Sequence, residues 1–180
     1  MIQTFDIWDT TITRAVGSPA GVFWLLGWQL ESIGLTQLPP EELVQLRREA
    51  ERCERQKTPG GEPALVEIYD ELASLAGWTQ QDAGKVRERE VKLEHNLSRV
   101  VPASLETIAV ARKQQKSVRF ISDIYLSASD LEAIWKKAGA WMEGDRCYDS
   151  CEACASKRSS RLFRLLLRQK CGTAALHESV

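Results

Sequence analysis

The sequence predicts an α/β fold: a parallel sheet whose first strand is separated from the others by a block of helices. Three observations carry this expectation. The run IQTFDIW at residues 2–8 opens the chain and reads as a short buried strand ending in polar residues. From about Pro19 to Leu97 every strong hydrophobic pattern has helical spacing. After Pro102, helix and strand patterns alternate at the spacing of right-handed crossovers between parallel strands.

In the helical block, Val22, Leu25, Leu26, Leu30 and Ile33 recur at helix spacing, and Gly34 is placed to end that helix. Trp24 and Trp28 lie one turn apart off this stripe, placed to pack on the core, to line a substrate entrance or to meet a partner, with core packing the simplest reading. Pro39 and Pro40 precede EELVQLRREAERCER, whose first turn carries acids as the helix dipole favours. Leu43, Leu46, Ala50 and Cys53 form its expected inner stripe, and Glu51 and Arg55 have the favoured i,i+4 order. The segment TPGGE (58–62) is a turn. Leu65, Ile68, Leu72 and Leu75 mark a third helix closed by Gly77. Thr79 caps a fourth, with Ala83, Val86, Glu90, Leu93 and Leu97 down one side. His95, among Glu90, Glu94 and Asn96 on a polar face, reads as a solvated helix residue.

Beyond Pro102, SLETIAVARKQQ is helical and SVRFIS (117–122) is a strand. Ser129 is expected to cap a helix through Leu131, Ile134 and Ala138, stopped by Gly139. RCYDS (146–150) reads as a short strand, Ser156 as the cap of a helix over KRSSRLFRLLLRQK ended by Gly172, and AALHESV as the start of another strand.

Composition narrows the function classes. The 180 residues fit one domain, or a core with a modest insertion. Apolar residues make up 43% and charged residues 27%, as in an ordinary globular protein. A net charge of −1 gives no electrostatic footprint for nucleic acid, and mixed runs such as ERCERQK read as solvated helix faces. No stretch is long enough for a membrane span, and no secretory signal opens the chain, so a reducing cytoplasm is the expected compartment. Five cysteines without a signal peptide argue against a disulfide framework. Cys147, Cys151 and Cys154 have the C-x3-C-x2-C spacing of iron–sulfur loops, but lack the strand and glycine-rich context of such sites. Zinc held with Cys171 or His177 as fourth ligand is a second reading, and small thiols beside a strand the simplest.

Three residues stand where chemistry is expected. Asp6 ends the first strand, and ligands of parallel sheets bind beyond the carboxyl ends of the strands. The polar run Asp9, Thr10, Thr11 follows it, in a loop able to offer backbone N–H groups to an anion. Ser122 ends the strand VRFIS, where a hydroxyl can hold a phosphoryl oxygen. Lys157 stands at a predicted helix start, where a cation opposes the helix dipole and a functional use is the more plausible reason for it.

In this order, separated by a helical block, Asp6, Ser122 and Lys157 resemble the haloacid dehalogenase superfamily. The first family motif, Asp-x-Asp-x-Thr after an apolar strand, corresponds here to Asp6-Ile7-Trp8-Asp9-Thr10. The resemblance is closest to a subgroup with FDxFDTLLxR and ISDMYL motifs, here FDIWDTTITR and ISDIYLS. It implies a Rossmann-like core at 1–13 and 101–180, interrupted by a C1-type helical cap at 14–100. It further implies that Asp6 is the nucleophile, that Ser122 and Lys157 bind phosphate and that Thr10 supports the motif loop. Mg²⁺ would sit beside Asp6 and the Trp8 backbone carbonyl, and Arg14, Arg47, Arg48 and Glu51 are candidates for facing the site.

Two departures shape the functional expectation. Trp8 stands where the family's phosphatases carry a second Asp as general acid and base, with Asp9 offset by one residue. The fourth family motif, an apolar strand followed by Gly-Asp, has no match in AALHESV. The resemblance implies hydrolysis of a small phosphorylated or anionic substrate through an aspartyl intermediate on Asp6. The alternatives are a catalytically silent or truncated member that binds a ligand, or a protein supplying the C-terminal elements, and a 2-haloacid dehalogenase.

Overall fold

The computed structural model describes residues 1–58 and 62–149. Its centre is a three-stranded parallel sheet of β1 (Ile2–Asp6), β4 (Ser117–Ser122) and β5 (Arg146–Asp149), with β4 in the middle. Ile2 pairs with Ser117 and Asp6 with Ile121, while Ser122 pairs with Asp149. Crossover helices α5 (Pro102–Lys113) and α6 (Ala128–Lys137) lead into β4 and out of it, as parallel neighbours require. Val118, Phe120, Ile121 and Ser122 are buried, because the central strand is covered on both faces. The Phe120 ring stacks on Trp135 of α6, centroids 4.3 Å apart, and on Trp141 at 6.0 Å.

The expected first strand stops at Asp6, two residues early, because Ile7–Thr11 turn back on themselves. Two further strands follow that the sequence reading missed. β2 (Ile12–Arg14) and β3 (Ser98–Val100) form an antiparallel ribbon with Ile12 opposite Val100 and Arg14 opposite Ser98. At three residues each they are too short to show a period of two.

Between these strands lie α1 (Pro19–Ser32), α2 (Pro40–Lys57), α3 (Leu65–Ala76) and α4 (Gln80–Leu97). The predicted end signals hold at Gly77, which takes the left-handed conformation, and at Thr79, whose hydroxyl accepts the Asp82 N–H. The helix after β4 is capped by Ser127 rather than Ser129, with the Asp130 N–H donating to the Ser127 hydroxyl. The inner face of α1 is Val22, Phe23, Leu26, Gly27 and Leu30. A Cβ on Gly27 would lie 2.7 Å from Pro40 Cα, so a glycine there lets the start of α2 lie directly against α1. Trp24 and Trp28 face outward from α1, 43% and 56% exposed, rather than packing on the core. In α2 the buried stripe is Pro40, Leu43, Arg47 and Ala50, so Arg47 takes the inner place expected for Leu46. No helix among the described residues is long and apolar enough to cross a membrane.

Candidate active site

The loop after β1 is wound around Ile7. Thr11 and Ile12 both donate their N–H to the Ile7 carbonyl, at 2.9 and 2.8 Å, and Asp9 N–H donates to the Ile12 carbonyl at 2.7 Å. Asp9 reaches this turn with φ of 58°, a left-handed conformation that Asp tolerates better than most residues. The hydroxyl that closes the loop belongs to Thr11, not Thr10. Thr11 is fully buried and donates to the Asp6 carbonyl at 2.7 Å, while Thr10 is exposed and its carbonyl accepts from Ser104. Asp6 stands exposed at the strand end, its Oδ1 accepting the Ile7 N–H at 2.8 Å.

Ser122 is buried at the end of the neighbouring strand, one residue beyond the partner of Asp6. Adjacent strands lie about 4.8 Å apart, so the structure brings the Asp6 and Ser122 strand ends together at the carboxyl edge of the sheet. The loop after Ser122 then turns inward. Ile124, Tyr125 and Leu126 are buried, and the Tyr125 carbonyl accepts the N–H of Leu65 at the start of α3.

That tyrosine meets one of a pair of buried carboxylates on α4. Glu90 and Glu94, one turn apart on α4, are both fully buried, although Glu94 was expected on a polar face. Each is held at both carboxylate oxygens by one arginine, and by one phenol. Arg14 grips Glu94 through Nε at 2.8 Å and Nη2 at 3.0 Å, and the Tyr125 hydroxyl donates to the same carboxylate at 3.0 Å. Arg47 grips Glu90 through Nε and Nη2, both at 2.9 Å, with Tyr69 donating at 2.6 Å. Arg47 also lies over the rings of Phe23 and Tyr125, and Arg14 lies 3.8 Å from the centroid of Trp8.

Of the four side chains expected to face the site, Arg14 and Arg47 are therefore committed to buried ion pairs. Arg48 and Glu51 line an open cavity with Ser18, Phe23, Arg52 and Arg55, which contains no residue of the Asp6 or Ser122 loops. His95 is partly buried rather than solvated, 3.7 Å from the Asp130 carboxylate.

Burial pushes the Glu94 carboxyl above the usual range against the pull of Arg14, and Glu90 one turn away adds to the push. Burial works against the charge on Arg14, but the Glu94 carboxylate more than offsets it and holds the guanidinium above its ordinary value. Tyr69 and Tyr125 are both pushed well above the ordinary phenol value of 10.0, first by burial and then by the neighbouring carboxylates. A phenol whose pKa is higher folded than unfolded favours the fold fully below the unfolded value and loses that contribution above it. The urea midpoint should therefore fall as pH rises above about 10. Replacing both tyrosines by Phe should flatten that fall, and an unchanged slope would sink this account.

Lys157, Cys151, Cys154, Cys171 and His177, with the helix and strand expected after residue 150, lie outside the described residues. Among the described residues no three His, Cys, Asp or Glu side chains gather into a group that could hold a metal. Asp6 places an exposed carboxylate at the end of β1, and Mg²⁺ is commonly held by one or two carboxylates together with substrate phosphates and water.

No protein-family model matches the chain, and a search of curated proteins found no match. Among solved structures it is similar to a 2-haloacid dehalogenase from Pseudomonas syringae pv. Tomato DC3000, with a TM-score of 0.59 and 16% identity. That likeness covers 97% of this chain and 75% of the dehalogenase. With its parallel sheet and its six helices among the described residues, the chain has a haloacid-dehalogenase-like, Rossmann-type fold.

Proposed function

We propose that the chain is a hydrolase working through Asp6, and that its substrate is a small phosphomonoester with a good leaving group. The observation that supports this most is the pairing of an exposed carboxylate, Asp6, with Ser122 at adjacent strand ends. In this reading residues 14–100 are a helical cap, and Ser122 and Lys157 hold the phosphoryl oxygens. A carboxylate oxygen of Asp6 attacks phosphorus as the ester oxygen departs, and water then hydrolyses the aspartyl phosphate. Mg²⁺, when bound, neutralises phosphate charge beside Asp6.

Trp8 decides which leaving groups are served. An alkoxide needs a proton as it departs, and the family's phosphatases give it one from the acid at this position. Here that position holds an indole packed against Arg14. Groups that leave as stable anions need no such acid. This favours aryl over alkyl phosphates, and the same observation supports a second reading, displacement of halide from a 2-haloacid by Asp6. The test is release of phosphate from an aryl phosphate, with and without Mg²⁺, beside release of halide from 2-chloropropionate. Metal-dependent phosphate release supports the first reading and halide release the second. Neither product from the purified chain would defeat both.

A further inference from the structure

We propose that Arg14, Glu94 and Tyr125 are positioning residues that couple the Asp6 loop to the Ser122 loop. Arg14, expected from the sequence only to face the site, ends the motif FDIWDTTITR, and Tyr125, given no role there, falls in ISDIYL. The structure brings both onto the single carboxylate of Glu94. An unbroken line of contacts results. The Trp8 ring lies in the Asp6 loop and Arg14 covers it. Arg14 grips Glu94, and Glu94 accepts the hydroxyl of Tyr125, which stands three residues after Ser122. Arg14 is 6% exposed, Glu94 0% and Tyr125 6%, so water does not replace these contacts.

A buried ion pair of this kind is a poor source of net stability, because desolvating both charges offsets most of their attraction. What it fixes is geometry, since the arginine bonds and the phenol bond are directional. α4 also carries an internal control. Arg47, Glu90 and Tyr69 repeat the same chemistry one turn away, and there the phenol donated to the carboxylate comes from α3. If these triads serve only to hold the helices together, losing either phenol has the same consequences. If the Glu94 triad couples the two loops, only the loss of the Tyr125 hydroxyl reaches the Asp6 loop.

The experiment compares Tyr125→Phe with Tyr69→Phe. Each removes one hydroxyl and keeps its ring in place. Native-state hydrogen exchange is read at Thr11 and Ile12, whose N–H groups close the Asp6 loop on Ile7. In Tyr125→Phe these amides should exchange about tenfold faster, the scale of one lost hydrogen bond to a charged group. In Tyr69→Phe they should stay within about twofold of the parent, although both variants lose comparable global stability. Unchanged loop exchange in Tyr125→Phe, or equal acceleration in both variants, would overturn the proposal.

The kinetic consequence rests on the phosphomonoesterase reading. With an aryl phosphate, Tyr125→Phe should lower kcat about tenfold with KM within about twofold, and Tyr69→Phe should change neither. If the parent chain turns over no aryl phosphate, that reading fails, while the exchange comparison still decides whether the loops are coupled.

Discussion

Asp6→Asn should abolish aryl phosphate hydrolysis while leaving the fold intact. The loss in kcat should be at least about 10³-fold, the scale seen when the nucleophile of a hydrolase is removed. An amide oxygen does not attack phosphorus at a useful rate, so no covalent intermediate forms. The structural cost is small because Asp6 is exposed, and the bond its Oδ1 accepts from the Ile7 N–H can be made equally by the Asn carbonyl oxygen. Thermal unfolding should therefore stay within about 2 °C of the parent, as for other exposed substitutions. A variant that keeps even a tenth of the parent turnover would show that the phosphate is attacked from elsewhere.

The largest expected effect on stability is at Arg47. Arg47→Met keeps most of the volume but leaves the fully buried Glu90 with only the Tyr69 hydroxyl. Breaking one side of a buried pair costs about 3–5 kcal/mol, because an uncompensated charge stays in the interior. It also removes the cationic contacts with Phe23 and Tyr125. A domain of this kind has about 5–15 kcal/mol in total, so urea unfolding should detect a drastic loss. The triple change Arg47→Met, Glu90→Leu, Tyr69→Phe removes the polar unit as a whole and should recover most of that loss. If the triple variant is no more stable than Arg47→Met, packing around the guanidinium, not the orphaned carboxylate, sets the cost.

Residues such as Asp6 and Ser122 were legible because a run of apolar residues that turns polar marks a strand end, and a parallel sheet puts ligands there. Helices α1 to α4 were legible from their 3.6-residue period, with caps at Thr79 and Gly77. The buried charges were not. Arg47, in the run LRREAER, was expected to face the site, and Glu94, beside His95, to lie on a solvated face. A signal was nonetheless present. Arg47 follows Leu43 by four residues and precedes Ala50 by three, and Glu90 stands at the same offsets between Val86 and Leu93. A charged residue on an apolar stripe in two helices of one block is the trace an interior ion pair leaves. What a single sequence lacks is which helix faces which, so it could not have paired Arg47 with Glu90 or Arg14 with Glu94. The same lack hid β2 and β3, whose pairing joins residues more than eighty positions apart in the chain.

That two-stranded ribbon has a consequence for how such a chain can change over generations. Ala15 donates its N–H to the Leu97 carbonyl at 2.8 Å, so the polypeptide leaves the sheet layer and returns to it at nearly the same point. Everything in between enters and leaves the sheet layer through this one doorway, with a further tie where the Leu65 N–H donates to the Tyr125 carbonyl. A different helical block could be grafted there without disturbing the strand ends that carry Asp6 and Ser122. The graft is not unconditional, however. Arg14 on the doorway and Tyr125 beyond β4 both reach across it for one carboxylate. Any replacement block must arrive with an acid where Glu94 now stands, or both partners must change with it.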